Sequence, residues 1–165
     1  MVAVGLDPGW SHTGYAVVGA SPAGLRVREV GVVRSAAADL PGRLAELYRE
    51  AVGLLEEVRP QVVVLEDVFS HPRHPRTAVL MAHVRGVLCL AAAHSGAAVK
   101  ALTPAEVKRA VCGNGRAPKA QVQAAVCRCL GVRGDLDSHA ADALALAATA
   151  LVRSGFPMRA PVGVP

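Results

Sequence analysis

Short apolar runs separated by turn residues fill the first third of the chain. Val2-Ala-Val-Gly-Leu6 ends on Asp7 and Pro8-Gly9, a second run covers residues 13–20, and Ser21, Pro22 and Gly24 lead into a third over about 25–34. In the third run Leu25 and Val27, then Val30 and Val32, alternate with other residues across a break near Glu29. That pattern predicts a half-buried strand carrying a bulge. The period then changes from two to 3.6. Leu44, Leu47, Tyr48, Ala51, Leu55 and Val58 line one face of a predicted helix that starts at Asp39-Leu-Pro41, with Asp as cap and Pro in the first turn, and ends at Arg59-Pro60. Residues 61–67, QVVVLED, are nearly continuous β-branched sequence, which suits a strand buried on both faces.

A loop rich in His, Pro and Arg (70–76) leads into a long Ala- and Val-rich helix, 77–94, that stops near Ser95-Gly96. Residues 97–102 predict another strand. Thr103-Pro-Ala-Glu106 is a capping box opening a short helix that closes around Gly113. The basic loop GNGRAPK precedes a helix from about 118 to 130, stopped by Gly131, and a last Ala- and Leu-rich helix spans about 138–153. A three-strand antiparallel meander followed by helix–strand–helix–strand–helix predicts an α/β fold: one mixed sheet of five strands, two of them parallel additions to the meander, with helices on both faces. Residues 1–155 read as a single domain and 156–165 as a flexible tail.

Composition narrows the function classes. Hydrophobic residues make up 52% of the chain, yet the Ala-rich stretches 87–93 and 143–152 fall short of a membrane span. Asp7 interrupts the first apolar run, so no secretory signal is expected there, and a soluble cytoplasmic protein with no membrane partner is the reading. Eighteen Lys and Arg against thirteen Asp and Glu give a net charge of +5, which favours a polyanionic partner. Cys89, Cys112, Cys127 and Cys129 form no CxxC pair, so neither a zinc site nor a disulfide is expected.

The acids sort by structural role. Glu46, Glu50, Glu56 and Glu57 fall on the polar side of an amphipathic helix, Asp39 is a helix cap, and Glu106 completes a capping box. Asp7 and Glu66 remain, each terminating an apolar strand, with Asp67 beside the second and Asp135, Asp137 and Asp142 around the start of the last helix. A buried unpaired carboxylate costs several kcal/mol or becomes neutral, so Asp7 needs a basic side chain, turn donors or a metal ion. If the strands ending at Asp7 and Glu66 lie adjacent and parallel, both acids leave the same edge of the sheet. His139 and Asp142 are one helical turn apart. Such an oxygen-rich set matches Mg²⁺ or Mn²⁺, and the imidazole tilts the choice toward Mn²⁺.

The stretches GLDPGWSHTGYAVV, LEDVFS, HVRGVL, TPAEVKRAVCGNGRAPKAQVQ and DSHAADALALAATA, in that order over roughly residues 1–153, resemble the RuvC family of Holliday-junction resolvases. The resemblance implies a ribonuclease-H-like fold, a homodimer, two divalent ions per active site and paired nicks in four-way junction DNA during recombination and repair. A branch-migration helicase complex as partner is implied by the family alone. Asp7 resembles the family's first metal-binding aspartate, Glu66 its glutamate and Asp142 the last of its acids. His139 stands where many members have an aspartate, which leaves the preferred metal open. Phe69 matches an aromatic that contacts bases, and Lys108 and Lys119 match basic positions linked to DNA contact and catalysis. Expected metal ligands are therefore Asp7, Glu66, His139 and Asp142, with Lys119 on a mobile loop opposing the charge of the scissile phosphate. Arg73, Arg76, Lys108, Arg116 and Lys119 would hold DNA phosphates, and Phe69 would stack on an unpaired base. His12 has two readings, a neighbour of the metal ligands or a turn residue. Helix 77–94 is a candidate dimer interface, its small side chains permitting close helix approach; packing on its own sheet is the competing explanation, and one face could serve each purpose. Three rivals stand beside this reading: an actin-like ATPase, for which the chain lacks a second half, a small nuclease of RNA maturation, and a junction-binding module without catalysis.

Overall fold

A computed structural model describes residues 1–67 and 75–159, so Phe69 and Arg73 lie outside the described residues. Ten elements follow one another: β1 (Val2–Asp7), β2 (His12–Ser21), β3 (Gly24–Arg34), α1 (Leu40–Val58), β4 (Val62–Glu66), α2 (Pro75–His94), β5 (Ala98–Leu102), α3 (Pro104–Cys112), α4 (Lys119–Leu130) and α5 (Ser138–Arg153). The strands form one sheet in the order β3-β2-β1-β4-β5. β1 pairs antiparallel with β2 and parallel with β4, and β5 adds parallel to β4. The break near Glu29 is a bulge: Val17 opposes Glu29 and Val18 opposes Val27, which leaves Arg28 as the extra residue.

Helices cover both faces. On one, Ala3, Ala16, Val18, Val62 and Val64 meet the small side chains of α5, flanked by α4. On the other, Val4, Leu6, Val17, Val63 and Leu65 meet Leu47, Ala51 and Leu55 of α1 and Val84 and Leu88 of α2. α1 starts where Asp39 accepts from the Gly42 amide at 3.0 Å, and α3 carries the full Thr103–Glu106 capping box.

Two glycines set how closely α5 approaches the sheet. A Cβ at Gly5 would collide with the backbone oxygen of Ala143, and one at Gly14 with that of His139. The start of α5 therefore lies directly on β2, beside the end of β1. Gly14→Ala should push this helix outward. Overpacking of this kind costs about 1–3 kcal/mol, so the thermal midpoint should fall by roughly 2–10 °C, which calorimetry can measure.

Two expectations need correction. Arg76–His94 is a 19-residue stretch with mean hydropathy 1.4, long and apolar enough to cross a membrane. Counting only Ala-rich runs missed it, because Val79, Leu80, Met81 and Val84 extend the apolar character toward the N-terminus. One face of it, with Val84, Leu88, Ala91 and Ala92, packs in the core, while Val79 and Leu90 are 57% and 49% exposed. Of the expected tail, residues 156–159 are described and are anchored. Phe156 and Met158 pack on the core, and the Arg159 carbonyl accepts from the Leu25 amide at 2.7 Å.

Candidate active site

Parallel pairing of β1 with β4 sets Leu6 opposite Leu65, so the next residue of each strand, Asp7 and Glu66, leaves the sheet at the same end. Asp137 caps α5 by accepting from the His139 amide at 2.8 Å, and this places His139 and Asp142 in the first two turns. His139 Nδ1 lies 2.6 Å from Asp7 Oδ2. Lys119, the first residue of α4 and not part of a mobile loop, puts Nζ 2.5 Å from Asp142 Oδ2. Gln123, one turn further along α4, donates to Asp142 Oδ1 at 3.0 Å. The four expected ligands, Lys119 and Lys108 all line one cleft of about 360 Å³.

The electrostatics follow from crowding acids at a buried edge. Asp7 is only 5% exposed. Burial drives its carboxyl up to about 6, the His139 hydrogen bond offsets part of that, and the Asp142 charge adds to the rise. Burial, then the charges of Asp7 and Asp142, push Glu66 to about 7. Burial works against the Lys119 ammonium, but the hydrogen bond and charge of Asp142 outweigh it and the pKa is raised.

These shifts have a sign in stability. Folded Asp7 and Glu66 keep protons that the unfolded chain, with carboxyls near 4, has already released between about pH 4 and 7. Without metal, stability therefore falls as pH rises through that window, and a rise from 3.8 to about 6 at Asp7 corresponds to about 3 kcal/mol. In chelator, Asp7→Asn should raise the thermal midpoint at pH 8 by several degrees and leave it nearly unchanged at pH 4.

Among the described residues, no three His, Cys, Asp or Glu side chains converge closely enough to share one ion. In this arrangement Lys119 occupies the Asp142 carboxylate, and the His139 ring meets Asp7 through Nδ1. The donor set still fits a hard divalent cation, since acids forced toward neutrality by burial and by one another are relieved by positive charge.

The other expected residues scatter. Lys108 is half-buried in the cleft, and Arg76 and Arg116 are exposed. Trp10, which follows β1, packs against the core on the α1 and α2 side of the sheet, with the Arg43 guanidinium 4.6 Å from its ring centroid. The His12 ring stacks on His139 with centroids 6.3 Å apart. Three residues went unassigned from sequence. Gln123 shares a helix face with Lys119, and that spacing was the available signal. Arg85, inside HVRGVL, donates to the Glu66 carbonyl at 3.0 Å and reaches Asp67 at 3.4 Å, pinning the tip of β4 to α2. Asp137 is the cap of α5, a role it shares with many helix-starting aspartates.

The family model "Crossover junction endodeoxyribonuclease RuvC" matches residues 3–150. The protein of that name from Rhodopirellula baltica is 49% identical over 127 residues, 74% of this chain and 70% of its own length. The one from Moorella thermoacetica is 40% identical over 149 residues, 89% of each chain. Thermus thermophilus RuvC superposes with a TM-score of 0.84 at 32% identity, covering 94% of this chain and 97% of its own. Its complex with a Holliday junction substrate gives 0.82 at 30% identity over the same shares. The yeast mitochondrial resolvase Ydc2, at 13% identity and a TM-score of 0.66, shares the fold. A strand-end Asp and Glu, a helix-borne His and Asp, and a match along nearly the whole chain lead to one assignment: this chain belongs to the RuvC family of crossover junction endodeoxyribonucleases.

Proposed function

We propose that the protein is a metal-dependent endonuclease that resolves four-way DNA junctions by paired, symmetric nicks in recombination and repair. The observation that carries this reading is the meeting of Asp7, Glu66, His139 and Asp142, from three separate elements, in one cleft flanked by Lys108 and Lys119. Family membership and the junction-bound relative support the choice of substrate.

Asp7, Glu66, His139 and Asp142 would hold two Mg²⁺ or Mn²⁺ ions. Bound there, the ions would supply an activated water and stabilise the departing 3′ oxygen. The chain's own groups do the rest. The Nδ1 contact with Asp7 orients the His139 ring and leaves its Nε2 as the ligating nitrogen, a common pairing of carboxylate and imidazole at metal sites. Lys119, once Asp142 turns to a cation, becomes a free ammonium at the cleft and opposes charge on the scissile phosphate. Arg73, Arg76, Lys108 and Arg116 would hold phosphates and so position the DNA without reading its sequence. Phe69 would stack on an unpaired base.

Two strands must be cut at symmetric positions, so the working form would be a homodimer with two-fold symmetry. The exposed Val79 and Leu90 on α2 supply a surface for it. A cytoplasmic location would rest on the sequence reading, and cooperation with a branch-migration helicase complex on the family alone.

The test is incubation of purified protein with a labelled four-way junction, with and without Mn²⁺. Paired nicks at symmetric positions, dependent on metal and absent on linear duplex, are expected. Binding without cleavage would favour a non-catalytic junction-binding module, and preferential cutting of RNA would favour a nuclease of RNA maturation. His139→Asp restores an all-oxygen ligand set and should shift the ratio of Mg²⁺- to Mn²⁺-supported nicking toward Mg²⁺ by about tenfold. An unchanged ratio would remove His139 from the ligand set.

A further inference from the structure

We infer that Gln123 is a positioning residue for the reaction: from α4 its side-chain amide fixes the orientation of the Asp142 carboxylate. The inference rests on the metal-site reading above and assigns a role to a residue outside the ligand set. Gln123 Nε2 lies 3.0 Å from Asp142 Oδ1 and 3.1 Å from both the carbonyl and the hydroxyl of Ser138. Lys119, four residues earlier on the same helix face, takes the other oxygen, Oδ2.

The two contacts differ in kind. The Lys119 side chain is 58% exposed and positively charged, so a divalent cation competes with it directly for Asp142. The Gln123 contact is neutral and partly buried. It neither repels a cation nor titrates. When Lys119 leaves, the amide still holds Oδ1 and restricts rotation of the carboxylate, so Oδ2 stays directed toward the cleft. Loss of a hydrogen-bond partner behind a ligating group typically weakens metal binding by about 10–100-fold.

The experiment is a Mn²⁺ titration of the DNA-free protein, with free Mn²⁺ followed by electron paramagnetic resonance, alongside the thermal midpoint in chelator. Gln123→Met keeps the length of the side chain and removes the donor. It should bind Mn²⁺ at least about tenfold more weakly with its metal-free midpoint nearly unchanged. Ser138→Ala, which removes another partner of the same amide, should bind as the wild type does. Asp142→Asn reports on the site itself. If Asp142→Asn weakens binding and Gln123→Met does not, the inference fails while the metal-site reading stands. An equal loss in Ser138→Ala and Gln123→Met would mean that Gln123 only anchors the start of α5, which also overturns it. If Asp142→Asn binds Mn²⁺ as the wild type does, the metal-site reading fails and this inference with it. Should Gln123→Met not fold, Gln123→Asn, whose shorter amide falls short of Asp142, is read against the same outcomes.

Discussion

Asp7→Asn should abolish junction nicking while leaving junction binding intact. The substitution keeps the shape of the side chain and an oxygen that can accept from His139 Nδ1, so the contact seen at 2.6 Å has a substitute. It removes the charge that would attract a divalent cation. Groups that act as one unit lose activity together, so the rate should fall by roughly three orders of magnitude or more. Folding is not at risk, because the wild-type carboxyl, raised by burial to about 6, is itself a source of instability at neutral pH. Gel-shift affinity and single-turnover nicking on the same junction separate the two effects. Loss of binding along with cleavage would make Asp7 a structural residue.

Lys119→Met should lower single-turnover nicking by roughly 10²–10³, the scale for removing one group aimed at transition-state charge. The wild-type Lys119–Asp142 pair cannot account for such a loss through stability. The Lys119 side chain is 58% exposed, and exposed pairs are worth about 0–1 kcal/mol. Junction affinity should change only a few-fold, since other basic residues share the phosphates. Lys119→Arg should recover part of the rate. A variant that nicks at the wild-type rate would place Lys119 outside the reaction, as a mere placeholder on Asp142.

What the sequence reveals about this site depends on how local each cause is. β1 and β4 announce themselves because Asp7 and Glu66 are charges ending runs that nothing but a buried strand explains. Their common edge was conditional on parallel pairing, which no single strand encodes, and the register between Leu6 and Leu65 supplies it. Asp39, Thr103 and Gly131 are read correctly for the opposite reason: caps act within one turn of chain. Gly5 and Gly14 were silent. Their requirement comes from α5, more than 120 residues away, whose backbone oxygens occupy the space of a Cβ. Lys119 was placed at the end of the GNGRAPK loop, where the loop and the helix from about 118 overlap; Pro118 is the flanking residue of α4, and Lys119 is its first position. From there the ammonium reaches Asp142 while the side chain stays largely exposed. The span-like hydropathy of α2 was missed because its apolar residues are spread around and along the helix rather than collected in one Ala-rich run.

Anomalous diffraction from Mn²⁺-soaked crystals examines the central claim most directly. The account predicts two peaks in each protomer, bounded by Asp7, Glu66, His139 and Asp142, with Lys119 withdrawn from Asp142. Peaks that avoid Asp7 and Glu66, or none in the cleft at saturating Mn²⁺, would contradict it.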